Sequence, residues 1–182
     1  MIRTIRSNPV IGRIIGPAQT ILLVVVTAWL IMTFMARAFE IHQTSMSPTL
    51  RPGDRVFVDI LSPRVLPYAD GDIVIFDDPR PDGQQLIKRV IGTPGQAIEI
   101  RMGDVYRNGI KIDETYLPSD TPTIQMKANG VTTWTLGSDQ YLMFGDNRIS
   151  SDDSRVFGSV TASAIIGRVL FRYWPLTAIG GP

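Results

Sequence analysis

The sequence predicts a mainly β domain carried behind one N-terminal transmembrane α-helix. Three observations predict it. Residues 18–36, AQTILLVVVTAWLIMTFMA, contain no charge, and nineteen residues at about 1.5 Å each give about 28 Å of helix, close to the thickness of a bilayer core. From residue 39 onward the pattern changes to short, β-branched, often alternating runs broken by Gly and Pro, the signature of strands. Between VYR and IKI stands Asn108-Gly109, the pair that favours a two-residue hairpin.

Residues 1–17 carry Arg3, Arg6 and Arg13 and no acid, whereas the far side of the apolar stretch offers Arg37 and Glu40. The positive-inside bias therefore places 1–17 in the cytoplasm, the helix at 18–37, and residues 38–182 outside. Ala36-Arg37-Ala38 also forms an A-x-A cleavage pattern, but the apolar stretch exceeds the roughly 7 to 15 residues of a removable leader, which favours a retained anchor. A buried core helix is disfavoured because apolar residues surround the whole circumference.

Beyond the anchor, the strand-like runs are RVFVDI at 55–60, DIVIF at 72–76, QLIKRVIG at 85–92, AIEI at 97–100, YLMF at 141–144 and IIGRVLFRYW at 165–174. The polar, turn-rich stretch from about 113 to 138 reads as a loop, or as part of a small sub-domain at about 101–140 that projects from the main sheet.

Composition removes several function classes. The chain of 182 residues has no cysteine and His42 as its single histidine, so a disulfide framework, a thiol nucleophile and a His/Cys zinc site are all disfavoured. Eighteen basic against 17 acidic residues give a net charge of +1, which is no electrostatic footprint for nucleic acid. No metal or other cofactor is implied.

Four clusters carry candidate chemistry: Ser45-Met46-Ser47-Pro48-Thr49-Leu50, Gly71-Asp72-Ile73-Val74-Ile75-Phe76, Lys88-Arg89-Val90-Ile91-Gly92-Thr93-Pro94-Gly95, and Gly145-Asp146-Asn147-Arg148 with Ser151, Asp153 and Arg155. A serine attacks a peptide carbonyl efficiently only when a base takes its proton. His42 lies three residues before Ser45, and on an extended segment odd spacing turns the two side chains to opposite faces. A lysine serves instead if burial disfavours its charged form. At a pKa of about 10.4 only about one lysine in 2,500 is neutral at pH 7, while a depression of about three units makes the neutral form common. Lys88 sits among Leu86, Ile87, Val90 and Ile91, an apolar run suited to that depression. Strand alternation turns Arg89 away from it. The competing reading is an ordinary charged pair on a strand edge.

In order and composition the four clusters resemble the motifs of the type I signal peptidase family (bacterial leader peptidase, serine peptidase family S26), over residues from about Phe39 to Pro175. The resemblance implies a compact antiparallel β catalytic domain and a membrane-bound endopeptidase that removes signal peptides from exported precursor proteins. Cleavage would follow small residues at the positions third before and immediately before the cut. Ser45 would be the nucleophile, Lys88 the general base, and Ser151 a serine that orients the lysine. Asp153 and Arg155 would brace the loop through a salt bridge, with Asp146, Asn147 and Arg148 in support.

The Ser45 N–H is the natural oxyanion donor. Gln43 stands where the family often has a serine or threonine hydroxyl, and it can donate through its amide. Phe39, Ile41, Leu50, Ile75 and Ile87 match the family's substrate-pocket lining, although core is the commoner fate of such residues. Partners would be precursors bearing signal peptides and membrane lipid. Ser45 lies seven residues past Ala38, at most about 23 Å of extended chain, so the nucleophile would stay near the bilayer. Other readings are a relative that processes a single precursor and a membrane-anchored β domain that binds precursors without cutting. A self-cleaving repressor of the Ser/Lys type would need a DNA-binding helical module where this chain has its apolar stretch.

Overall fold

In the computed structural model, residues 16–27, 36–61, 66–81, 83–124 and 132–182 are described. Residues 16–27 form a helix, α1, whose apolar side chains from Ile21 to Val26 are exposed. Part of the predicted span, 28–35, lies outside the described residues, and among the described residues no helix is long and apolar enough to cross a membrane. The last two positions assigned to the span belong elsewhere. Ala36 and Arg37 open strand β1 (Ala36–Glu40), where they pair with Asp59 and Val58 of β2 (Arg55–Asp59). Pairing with β2 offers their backbone groups a ladder that a helix end would leave open.

The remaining strands are β3 (Ile73–Asp77), β4 (Gln85–Gly92), β5 (Ala97–Arg101), β6 (Asp104–Arg107), β7 (Ile110–Lys111), β8 (Thr133–Thr135), β9 (Gln140–Phe144), β10 (Val160–Thr161) and β11 (Ile165–Trp174), with a short helix α2 (Ser154–Phe157) before β10. They make a seven-stranded sheet in the order β1-β2-β11-β3-β4-β9-β10 and a four-stranded sheet in the order β7-β6-β5-β8. Every named pair is antiparallel. The runs read as strands from sequence all form strands, with β4 and β11 matching residue for residue. Asn108 and Gly109 both take positive φ, 51° and 81°, the conformation a two-residue hairpin between β6 and β7 demands. The stretch at 113–138, read as a loop or as part of a small sub-domain, contains among its described residues one strand, β8, which completes the smaller sheet by pairing with β5. Thr-Trp-Thr is strand-prone, but three residues are too few to show alternation against turn-rich flanks.

Alternation in β3 builds two cores at once. Ile73 and Ile75 enter a cluster with Ile41, Met46, Leu50, Val56, Val58, Ile87 and Val169. Val74 and Phe76 enter another with Tyr68, Leu86, Val90, Tyr141, Met143, Val160 and Ile165. The period of two sends neighbours to opposite faces, so the large sheet is apolar on both sides around β3. A third cluster, including Ile91, Ile98, Leu142 and Phe144, joins the two sheets. β4 runs between these cores and is buried from Leu86 to Gly92. A lysine in its middle is thereby taken out of water.

Candidate active site

Ser45 follows β1 at the start of a run of turns, so it does not share an extended segment with His42, which is exposed. Met46 and Leu50, both fully buried, pin this turn to the core. The turn is held from three sides. Asn147 N donates to the Ser45 carbonyl at 2.9 Å, Thr49 Oγ1 donates to Asp146 at 2.6 Å, and Arg172 donates to the Thr49 carbonyl at 2.9 Å and to Asp54 at 2.8 Å.

Lys88 reaches this turn from β4. Its Nζ lies 2.7 Å from Ser45 Oγ and 3.1 Å from the Ile87 carbonyl, and the residue is 1% exposed. Burial pulls its pKa down to about 8, against the opposing pull of Asp153, Asp152 and Asp78. Arg89 points elsewhere, donating to both Asp146 oxygens at 2.9 and 2.7 Å and to the Gly71 carbonyl at 2.9 Å, with its guanidinium 4.0 Å from the Tyr116 ring centre.

The loop from Gly145 to Arg155 forms the far wall. Asp153 and Arg155 are fully buried and make a two-pronged ion pair at 2.8 and 2.7 Å. Asp153 also accepts from the Gly145 N–H at 3.0 Å, and Arg155 donates to the carbonyls of Ile124 and Arg148. Arg148 is bound by Glu114, Thr123 and Tyr116 and donates to the Gly145 carbonyl at 3.1 Å. Two buried guanidiniums thus satisfy backbone carbonyls of a loop that has little regular structure of its own. Glu114, Tyr116 and Thr123 gave no signal in sequence, because their part is played across tens of residues of chain.

With this geometry stands a sequence match: residues 14–174 fit the family profile described as signal peptidase, peptidase S26. The chain belongs to this signal peptidase family. Membership makes it a serine endopeptidase, a hydrolase. A signal peptidase I of Leptolyngbya laminosa is 38% identical over 169 residues, covering 89% of this chain and 80% of that protein. A signal peptidase IB of Staphylococcus aureus is 35% identical over 165 residues, covering 84% of this chain and 85% of that protein. The crystal structure of a signal peptidase I from Enterococcus faecalis V583 aligns with a TM-score of 0.48 at 33% identity, over 58% of this chain and 98% of that one.

Within this signal peptidase chain, a groove of about 330 Å³ is lined by Phe39, Ile41, Ile75 and Ile87, with Ala38, Gln43 and Gln85 among its other walls. Leu50 does not line it. It is fully buried in the core cluster beneath, since its turn directs the side chain inward. Gln43 is engaged: its Nε2 donates to the Gln85 carbonyl at 3.1 Å, tying the segment after β1 to β4. Ser151 is fully buried, but its Oγ has no hydrogen-bond partner among the described residues. The contact with the lysine that the resemblance implies is not formed, because Nζ is turned toward Ser45 and Ile87.

A second cleft, about 390 Å³, holds Ser45 and Lys88 together with Gln43, Leu86, Asp78, Arg80, Gln84, Ser150 and Asp152. The sequence reading missed Asp78, Arg80, Gln84 and Asp152. Asp78, Arg80 and Gln84 lie between the strand runs at 72–76 and 85–92, outside every quoted motif, and only Asp152, beside Ser151, had a positional hint.

Proposed function

We propose that this signal peptidase removes N-terminal signal peptides from exported precursors, with Ser45 as nucleophile and Lys88 as general base. One observation carries the reading: Nζ of a lysine 1% exposed lies 2.7 Å from the serine hydroxyl. With its pKa near 8, roughly one such lysine in ten is neutral at pH 7, hundreds of times the fraction of an unperturbed lysine.

Neutral Lys88 accepts the Ser45 proton as Oγ attacks the scissile carbonyl, giving a tetrahedral oxyanion. The Ser45 N–H is the first oxyanion donor. Gln43 has one amide N–H on Gln85, and the second is the candidate for the other donor. Collapse expels the amine, which takes the proton from the Lys88 ammonium, and leaves an ester on Ser45. Water, deprotonated by Lys88, then attacks the ester; the ammonium returns its proton to Oγ, releasing the signal peptide's new carboxylate. Asp153 with Arg155 holds the loop that carries Ser151, the residue that the resemblance assigns to orienting the lysine.

Selectivity belongs to the groove lined by Phe39, Ile41, Ile75 and Ile87, whose bulk leaves room for small side chains before the cut. The protein is arranged as a cytoplasmic N-terminal segment, one membrane helix and an extracytoplasmic β domain beginning at β1, anchored in the cytoplasmic membrane. Tethering brings the site to the level at which a precursor's own apolar segment leaves the bilayer, raising their effective concentration.

The test uses detergent-solubilised protein and a precursor with alanines at the two small-residue positions, with products followed by mass. Wild type cuts after the second alanine, while Ser45→Ala and Lys88→Ala lose at least about a thousandfold in rate. Persistent cleavage by Lys88→Ala would transfer the base to another group.

A further inference from the structure

The cleft holding Ser45 and Lys88 has a charged wall that the reaction as written does not use. Arg80, on the turn between β3 and β4, donates from Nε and Nη2 to the two Asp78 oxygens at 2.9 and 2.6 Å. Its Nη1 reaches Asp152 at 2.5 Å. Asp152 adjoins Ser151, so one guanidinium spans the cleft from the hairpin to the 145–155 loop. The Arg80 guanidinium also lies 5.4 Å from the Phe157 ring centre, which steadies it from the α2 side.

We infer that Arg80 is a positioning residue for the Ser/Lys pair: by holding Asp78 and Asp152 it keeps their negative charge from stabilising the Lys88 ammonium. The inference rests on Lys88 being the base. Charged groups act on Lys88 from the hairpin and from the loop. From the hairpin come Asp78 and Arg80. From the loop come Asp152 and Asp153, the latter in its own ion pair with Arg155. On β4 itself Arg89 is committed to Asp146, and the Ser45 turn contributes no charge to the cleft. Asp78 and Asp152 together carry two negative charges against the one positive charge of Arg80. Both carboxylates act on Lys88 in the direction of retaining its proton, and Arg80 acts in the opposite one.

The Arg80–Asp152 arm adds little to stability, its side chains being 37% and 53% exposed, whereas the Asp78 carboxylate is 4% exposed, so Arg80 also supports the fold there. Its field is felt nonetheless by a neighbour as desolvated as Lys88. Arg80 therefore bears both on folding and on the pH at which the enzyme works, and a displaced acid limb in kcat/KM per folded molecule distinguishes the second from the first.

The experiment measures kcat/KM for the alanine-bearing precursor from pH 5.5 to 9.5, in wild type, Arg80→Gln, Arg80→Lys, Asp152→Asn and Lys88→Ala. Arg80→Gln should move the acid limb upward by about half a pH unit, a roughly threefold loss at pH 6.5 and none at pH 9.5. Asp152→Asn should move it downward, and Arg80→Lys should restore the wild-type position. A purely structural clasp predicts something different, a loss at every pH for both Arg80→Gln and Asp152→Asn with the limb unmoved, and that result overturns the inference. Activity persisting in Lys88→Ala, or no acid limb in wild type, overturns the reading of Lys88 as base and this inference with it. A wild-type limb that stays fixed in the variants overturns this inference alone.

Discussion

Gly145 packs against Ser151 so closely that a Cβ on Gly145 would lie 2.6 Å from the Ser151 Cβ and closer still to its Oγ and to the Ser45 carbonyl oxygen. The absence of a side chain at 145 lets the loop bearing Ser151 lie directly on the nucleophile's backbone. The same residue gives its N–H to Asp153 and its carbonyl to Arg148, so it cannot retreat without breaking buried bonds.

Gly145→Ala should therefore destabilise the protein by about 1 to 3 kcal/mol, the range for overpacking a filled interior, and reduce cleavage by more than that loss of folded protein explains. Urea unfolding and the rate per folded molecule together check it. Wild-type activity with unchanged stability would mean the loop is free to move off Ser45.

The second prediction concerns pH. The base must be neutral and its pKa is near 8, so kcat/KM should climb about tenfold per pH unit below 8 and level off above. At pH 6 the rate should be roughly one hundredth of the plateau. A profile flat between pH 6 and 8 would remove Lys88 from the proton transfer. Histidine offers no substitute, because His42 is exposed and lies outside the cleft lining.

Much of this site is legible in the sequence alone. Lys88 announced itself as a charge within the apolar run of β4, and strand alternation separated it from Arg89 by simple parity. The strand runs and the Asn108-Gly109 turn needed only local chemistry. What the sequence hid was contact over distance. Arg80 meets Asp152 across 72 residues, and Arg148 meets Glu114 across 34, and neither pair leaves any period or spacing to read. Leu50 was misplaced for a related reason. Apolarity marks a residue as sheltered, and only the direction of its turn decides between pocket wall and core. Ala36 and Arg37 show the limit of hydropathy, since an apolar run does not reveal where backbone pairing begins.

The third prediction tests the groove. Phe39 is its half-buried member, so Phe39→Ala enlarges the space with less damage to the core than a change at Ile75 or Ile87. The variant should cut a precursor with leucine at the third position before the scissile bond at least about tenfold better, relative to alanine, than wild type does. That is the scale of discrimination available from a few methylenes in an apolar pocket. An unchanged ratio would place the pocket for that residue elsewhere.

The last prediction turns the depressed pKa into stability. Lys88 holds its proton less tightly in the folded protein, near pH 8, than in the unfolded chain, near pH 10.4. Between those values the unfolded state binds more protons, so stability rises with pH. Below pH 8 both states are protonated and the full cost of burying the ammonium applies, on the order of 3 kcal/mol. Above about pH 10.4 it vanishes. Lys88→Met, one heavy atom shorter and without the charge, should accordingly be inactive yet more stable than wild type at pH 7, by about 2 to 3 kcal/mol, with the advantage shrinking toward pH 10. Urea unfolding of both proteins at the two pH values reads the difference directly. A variant less stable than wild type at pH 7 would mean that the bonds from Nζ to Ser45 and the Ile87 carbonyl outweigh desolvation, and that Lys88 is held as a structural cation.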